Sequence, residues 1–189
     1  MPRHWLMKSE PDECSIDDLG AAPGRQLPWT GVRNYQARNF MRDQMAPGDD
    51  VLFYHSSCPQ PGIAGIARIF GNLGPDPTQF DPTSPYFDAA SKVEAPRWLL
   101  VDVRLRRKTR LLPLQAMRLR PELASMVLLQ RGSRLSITPA GIGPIKAMVR
   151  SLDLSQLTPF VTDLVARGTT PIRPALEGWG RDHGVELGL

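Results

Sequence analysis

At 189 residues, 41% hydrophobic and 22% charged, the chain can bury a core without staples, and one ordinary domain with room for an extension is expected. Its two cysteines, Cys14 and Cys58, lack a CxxC or a histidine-rich neighbourhood, which speaks against a disulfide framework or a zinc site and for reduced thiols in a cytosol. No apolar run is long enough for a signal peptide or a membrane span, so a soluble cytoplasmic protein is expected, and a net charge of +4 permits an anionic partner without demanding one.

Residues 4–8, HWLMK, read as a first strand that Ser9-Glu10-Pro11 ends, because proline removes a donor and restricts its predecessor. A short helical turn over 15–19 follows, with Ser15 as N-cap and Asp18 placed to complete a capping box. Residues 21–28 read as a loop that delivers Trp29. Asn34 is the candidate N-cap of a helix running to Arg42, which Pro47-Gly48-Asp49 stops before a strand over 51–56, VLFYHS. After a hairpin-like connection, a strand over 63–70 is expected to pair antiparallel with it, its small residues leaving room for a neighbour or ligand. Residues 72–95 are rich in Pro, Asp, Ser and Gly, with Phe80, Tyr86 and Phe87 spaced through them. A connection that long and carrying rings is expected to be an ordered flap over a site.

A half-buried strand over 98–105 continues into the basic run Arg104, Arg106, Arg107, Lys108 and Arg110, with Arg118, Arg120, Arg131 and Arg134 beyond. Such a run reads equally as a solvated face and as a nucleic-acid surface. Short helices over 114–117 and 121–126, a strand over 134–138 and a helix over 144–152 complete a domain placed at 1–153. Residues 154–189 are a C-terminal extension, expected to be partly helical or loosely ordered.

There is no GxGxxG with a following acid, Walker loop, HExxH or GxSxG, so nucleotide, metalloprotease and esterase chemistries have no motif behind them. His55 sits at a strand end beside Tyr54 and Ser56. It can be a general base, but a lone histidine more often orients structure or ligand. No catalytic residue, metal or cofactor is expected. What remains is a set of rings, Trp5, Trp29, Tyr35, Tyr54, Phe80, Tyr86 and Trp98, interleaved with Ser9, Asn34, Gln36, Asn39 and Ser56. Rings stack on a planar ligand, worth about 1–3 kcal/mol per base in single-strand binders, and hydroxyls and amides read its edges. Core filling explains any one ring, Trp98 or Phe53 especially, but not the amides beside them.

The segments HWLMKSEP at 4–11, WTGVRNYQARNF at 29–40, VLFYHS at 51–56, PGIAGIARI at 61–69, PDPTQFDPTSPYFD at 75–88, PRWLLVDV at 96–103 and QRGSRLSITP at 130–139 resemble the EVE domain of the thymocyte nuclear protein family and its bacterial relatives. The resemblance covers roughly residues 4–150. It implies an α+β, PUA-like fold, a mixed sheet curled into a small barrel flanked by helices, and kinship with YTH domains, which read methylated adenine in RNA. It further implies a reader of modified bases, such as 5-methylcytosine or its oxidised forms. By similarity, Lys8, Ser9 and Trp29 belong to the base pocket, Asn34 and Asn39 follow on the helix, and a second ring comes from Phe80, Tyr86 or Tyr54. Arg131 and Arg134 fall where relatives bind phosphate, and with Arg33 they are the candidate contacts to a nucleic-acid backbone. The expected function is a non-catalytic reader of modified DNA or RNA, with no membrane partner. The alternative is a small enzyme on a nucleobase or nucleotide, with His55 or Asp102 as acid or base.

Overall fold

The computed structural model describes residues 3–71 and 73–141. The expected helix over 144–152 and the extension from 154 lie outside them. The strands are β1 (His4–Ser9), β2 (Gln26–Pro28), β3 (Asp50–His55), β4 (Gly62–Ile69), β5 (Gly74–Pro75), β6 (Leu99–Leu100), β7 (Asp102–Pro113) and β8 (Ile137–Pro139), and the helices α1 (Ile16–Ala21), α2 (Tyr35–Asp43) and α3 (Leu114–Arg118). Six strands form one mixed sheet in the order β2-β7-β4-β3-β1-β8, and β5 and β6 pair apart from it. In the large sheet β1 and β3 run parallel, and every other neighbouring pair is antiparallel.

Trp5, Leu6 and Met7 in β1, and Val51 to Tyr54 in β3, are buried without interruption. Such runs mark strands covered on both faces, and these two lie inside the sheet. Register shifts between Phe53 and Tyr54 in β3, and at two points where β4 meets β7, insert bulges that bend the strands. The sheet accordingly curls into a half-barrel flanked by short helices, the α+β, PUA-like architecture expected from the sequence.

The local signals act as expected. Ser15 and Asp18 form a complete capping box on α1, and the Asn34 side chain accepts the Ala37 N–H at the start of α2. The two helices bury Ile16, Leu19, Ala37 and Met41 in a core shared with Trp5, Met7, Phe53, Val103 and Ile137. Gly65 in β4 permits that docking, since a Cβ there would lie 2.7 Å from the Arg107 carbonyl oxygen and 2.9 Å from Ile16 Cδ1.

Four expectations are corrected. Part of the loop over 21–28 is β2, an edge strand paired with Asp102 to Arg104. The basic strand extends to Pro113. The helix expected over 121–126 is a single 3₁₀ turn, Pro121–Leu123, and the last strand begins only at Ile137.

Candidate functional site

A cleft of about 740 Å³ lies beyond the carboxyl ends of β1 and β3. Lys8 and Ser9 end β1, Ser56 and Ser57 follow β3, residues 28–32 lead into α2, and Pro85 and Tyr86 come from the flap. Trp29 and Phe53 meet edge to face, with centroids 5.3 Å apart and planes at 76°. Trp29 keeps only 8% exposure, so its indole serves the core and the cleft together. Ser9 Oγ donates to the Cys14 carbonyl at 2.7 Å, and the Ser56 N–H donates to the Ser9 carbonyl at 2.9 Å. Ser9 is thereby fixed at the mouth, its hydroxyl oxygen still able to accept. Burial holds the Lys8 ammonium below the usual lysine range.

The flap wall is built around Tyr86. Gly31 has φ +79°, and a Cβ on it would lie 2.8 Å from Tyr86 Cζ, so the ring packs directly on the glycine backbone. Tyr86 Oη donates to the Glu13 carboxylate at 2.6 Å. Burial and that hydrogen bond push the phenol up to about 12.

Arg33 clamps flap to loop. Its Nε donates to the Tyr86 carbonyl at 2.7 Å, Nη1 to Asp76 Oδ2 at 2.8 Å and Nη2 to Thr78 Oγ1 at 2.8 Å, while the guanidinium lies 5.5 Å from the centroids of both Tyr86 and Trp98. Asp76, fully buried, also takes the N–H groups of Gly31 and Thr78. Burial raises its pKa, but the hydrogen bonds from Thr78, Arg33 and Gly31 outweigh it, and the carboxyl stays below the ordinary value. Buried Gln79 ties the flap to the chain beyond it, its amide donating to the Asp76 and Trp98 carbonyls and accepting the Arg97 and Trp98 N–H groups.

Of the residues singled out in the sequence, the cleft gathers Lys8, Ser9, Trp29, Ser56, Tyr86 and Arg134. Tyr54 and Arg131 line an adjoining cavity that shares Lys8 and Ser56. The other candidate base-pocket and backbone residues line neither. Trp5 is 1% exposed and donates through Nε1 to Asp49 Oδ2 at 3.0 Å, so its ring and its polar atom are both spent in the core. Asn34 is a helix cap, Asn39 Oδ1 accepts from Arg38, and Gln36 is exposed on α2. Tyr35 stacks on Trp98, centroids 4.8 Å apart, with Arg97 donating to its hydroxyl. Phe80 is half-buried at the end of the 3₁₀ turn Pro77–Gln79. Arg33 spends all three guanidinium nitrogens inside the fold, which makes it the flap's clamp and leaves a phosphate no free edge of it.

His55 Nε2 accepts the Ile16 N–H at 3.0 Å and so completes the first turn of α1. Burial, more than its neighbours' charges, keeps the imidazole pKa below its usual value. Neither His55 nor Asp102 lines either cavity. Among the described residues, no group of three or more His, Cys, Asp or Glu is placed to hold a metal ion.

Sequence reasoning passed over Glu13, Gly31 and Asp76. The Asp-Pro-Thr at 76–78 was the available signal: it folds an Asp side chain back onto the N–H two residues on, and Asp-Pro-Thr at 81–83 does the same.

The family model described as the EVE domain matches residues 3–158. The chain belongs to the EVE domain family. Human thymocyte nuclear protein 1 is 44% identical to it over 154 residues, 72% of this chain and 68% of the relative. A crystal structure of a Pseudomonas putida protein is 48% identical, with a TM-score of 0.72 over 78% of this EVE chain and 97% of that one. A crystal structure of the human THYN1 protein in complex with 5-methylcytosine-containing DNA is 41% identical, with a TM-score of 0.72 over 77% and 95%. The human relative is named a nuclear protein, which does not fit a purely cytoplasmic reading. Among the described residues of this EVE domain, no helix is long and apolar enough to cross a membrane.

Proposed function

We propose that this EVE domain is a non-catalytic reader that takes one modified base of DNA or RNA into the cleft between Trp29 and Tyr86. The observation that carries the reading is the likeness to the human protein solved on 5-methylcytosine-containing DNA. The cleft lends chemical support. A base read on its edges must leave the stack, at a cost of a few kcal/mol that is smaller for altered or unpaired bases. Trp29 and Tyr86 offer rings to offset that cost, and Ser9, Ser56 and Lys8 offer polar groups to the edges. A methyl group entering the apolar part of the cleft, formed with Phe53 and Val103, adds about 0.8 kcal/mol, or roughly fourfold in affinity. Selectivity is therefore a preference rather than an absolute switch.

The enzymatic alternative finds no comparable support. The free ring nitrogen a base would need on His55 is already accepting a backbone N–H, and Asp102 lies against Gly71 away from both cavities.

The test is fluorescence anisotropy on short DNA and RNA strands, with and without methylated or hydroxymethylated cytosine and methylated adenine, at two salt concentrations. One modified strand is expected to bind more tightly by a margin that salt does not erase. Trp29→Leu, which keeps an apolar side chain but removes the ring, should remove that margin. Equal binding of all strands, or a margin that survives in folded Trp29→Leu, would overturn the proposal.

A further inference from the structure

Among the residues lining the base cleft are two carboxylates, Glu10 and Glu13. A carboxylate beside a site for a polyanion weakens binding through repulsion unless it accepts a hydrogen bond from what enters. Glu13 is placed to do so. The Glu13 and Cys14 N–H groups both donate to the Glu10 carbonyl, and Ser9 Oγ donates to the Cys14 carbonyl, so the turn that carries Glu13 is fixed to the end of β1. From the flap, the Tyr86 hydroxyl points between the two Glu13 oxygens, 2.6 and 2.7 Å away, and Arg33 in turn holds the Tyr86 carbonyl. The hydroxyl has one proton to give. An ionised carboxylate has about four acceptor sites and no donor, so most of the capacity of Glu13 is unused. The side chain is exposed toward whatever enters, and among the described residues no ion pair engages it.

A donor and an acceptor lining one cleft select the edge of a base. The Lys8 ammonium offers only donors and the Glu13 carboxylate only acceptors. Cytosine and adenine present a ring nitrogen that accepts beside an amino group that donates. Thymine, uracil and guanine invert that order, with a ring N–H beside a carbonyl oxygen. We infer that Glu13 is a specificity-determining residue of the cleft, accepting the exocyclic amino group of an extruded cytosine or adenine and repelling the carbonyl oxygen that thymine, uracil or guanine sets in its place. The inference rests on the base-reading proposal and deepens it, naming the class of base admitted and the residue that admits it. A 5-methyl group leaves the amino edge of cytosine unchanged, so the choice of an amino-bearing base and the preference for a methylated one are separate contributions.

The full chain is titrated by fluorescence anisotropy with four DNA strands, each a short run of thymines whose central base is cytosine, 5-methylcytosine, uracil or thymine. Cytosine is expected to bind about tenfold more tightly than uracil, and 5-methylcytosine about tenfold more tightly than thymine, the gain typical of a hydrogen bond to a charged group. The methyl margin, 5-methylcytosine over cytosine, is read from the same strands. Glu13→Gln should bring both amino preferences close to parity, because an amide carries a donor as well as an acceptor and suits either edge. The methyl margin and the thermal midpoint should stay unchanged, because Glu13 is exposed and an amide oxygen in its place still accepts from Tyr86. Cytosine no tighter than uracil, or an amino preference that survives in folded Glu13→Gln, would overturn the inference, and a methyl margin that persists in either case leaves the base reading standing. An amino preference that Glu13→Gln erases, with no methyl margin in the wild type, would support the role of Glu13 and remove the selectivity for a modified base.

Discussion

Gly31 and Tyr86 form a contact that only glycine allows, because the left-handed backbone and the missing Cβ are both required there. Gly31→Ala places a methyl group 2.8 Å from the phenol ring at φ +79°. The expected result is a loss of about 1–3 kcal/mol, the range for a strained non-glycine residue, read as a lower midpoint in thermal or denaturant unfolding. Unchanged stability would mean that the ring is free to move and that the flap wall is not fixed by this contact. The phenol itself reports on the same wall. Its folded pKa of about 12 lies above the ordinary 10.0, so the neutral form is the one the fold favours. That contribution is complete below about 10 and is lost as pH rises through about 12. A phenolate absorbance titration should show a step near 12 that Tyr86→Phe abolishes. Glu13→Gln should move that step downward, because it removes the acceptor charge that resists ionisation. A step that stays in place in Glu13→Gln would assign the shift to burial alone.

The flap stands at the next scale as an element without helix or long strand, held by Asp76 and Gln79 instead. Removing one partner of a buried charged pair leaves the other uncompensated, at a cost of about 3–5 kcal/mol. Asp76→Ala should therefore unfold the flap, with loss of hydrogen-exchange protection across residues 74–100 while β1 and β3 keep theirs. The folded carboxyl pKa is depressed, so its stabilisation is present above the unfolded value of 3.8 and disappears as pH falls through the lower folded value. Acidification should open the flap in the wild type, and Asp76→Ala should remove that pH dependence. This element also marks how far the sequence could be read. Caps, proline stops, the β-branched and aromatic content of β3 and the alternation at the start of β7 are local signals, and they located α1, α2 and the central strands. β2 is three residues long, and its strand state comes from pairing with Asp102–Arg104 far along the chain, which no local pattern records. Likewise the rings and amides of 29–56 announced a site, but spacing alone could not separate Trp29, which reaches the cleft, from Trp5, whose indole is consumed by Asp49. Arg33 looked like a backbone contact because nothing in sequence places Asp76, 43 residues later, beneath it.

Across the whole molecule, the modest positive charge of +4 is unevenly available. The basic run that reads as a nucleic-acid surface lies on β7, where Arg106 bonds Asp50, Lys108 bonds Asp17, and Arg104 bonds Gln26 and lies over the Phe70 ring. Exposed ion pairs contribute at most about 1 kcal/mol each to stability, but Arg106 and Lys108 already have anions beside them. Arg134 and Arg131, by contrast, line the two cavities and are exposed. The proposed reader therefore makes a prediction about salt. Each phosphate contact releases counterions and contributes about 0.7–0.9 to the slope of log affinity against log salt concentration. Arg131→Ala and Arg134→Ala should each weaken modified and unmodified strands alike and reduce that slope by close to one contact. Arg106→Ala combined with Lys108→Ala, although it removes the same number of charges as the first pair together, should leave the slope unchanged. Its small effect would be confined to folding stability. Anisotropy titrations over a range of salt concentrations separate the two cases. If the β7 variant flattened the slope as much as the cavity variants, the strand would run across the open face of β7, and the base cleft would no longer be the centre of the interface.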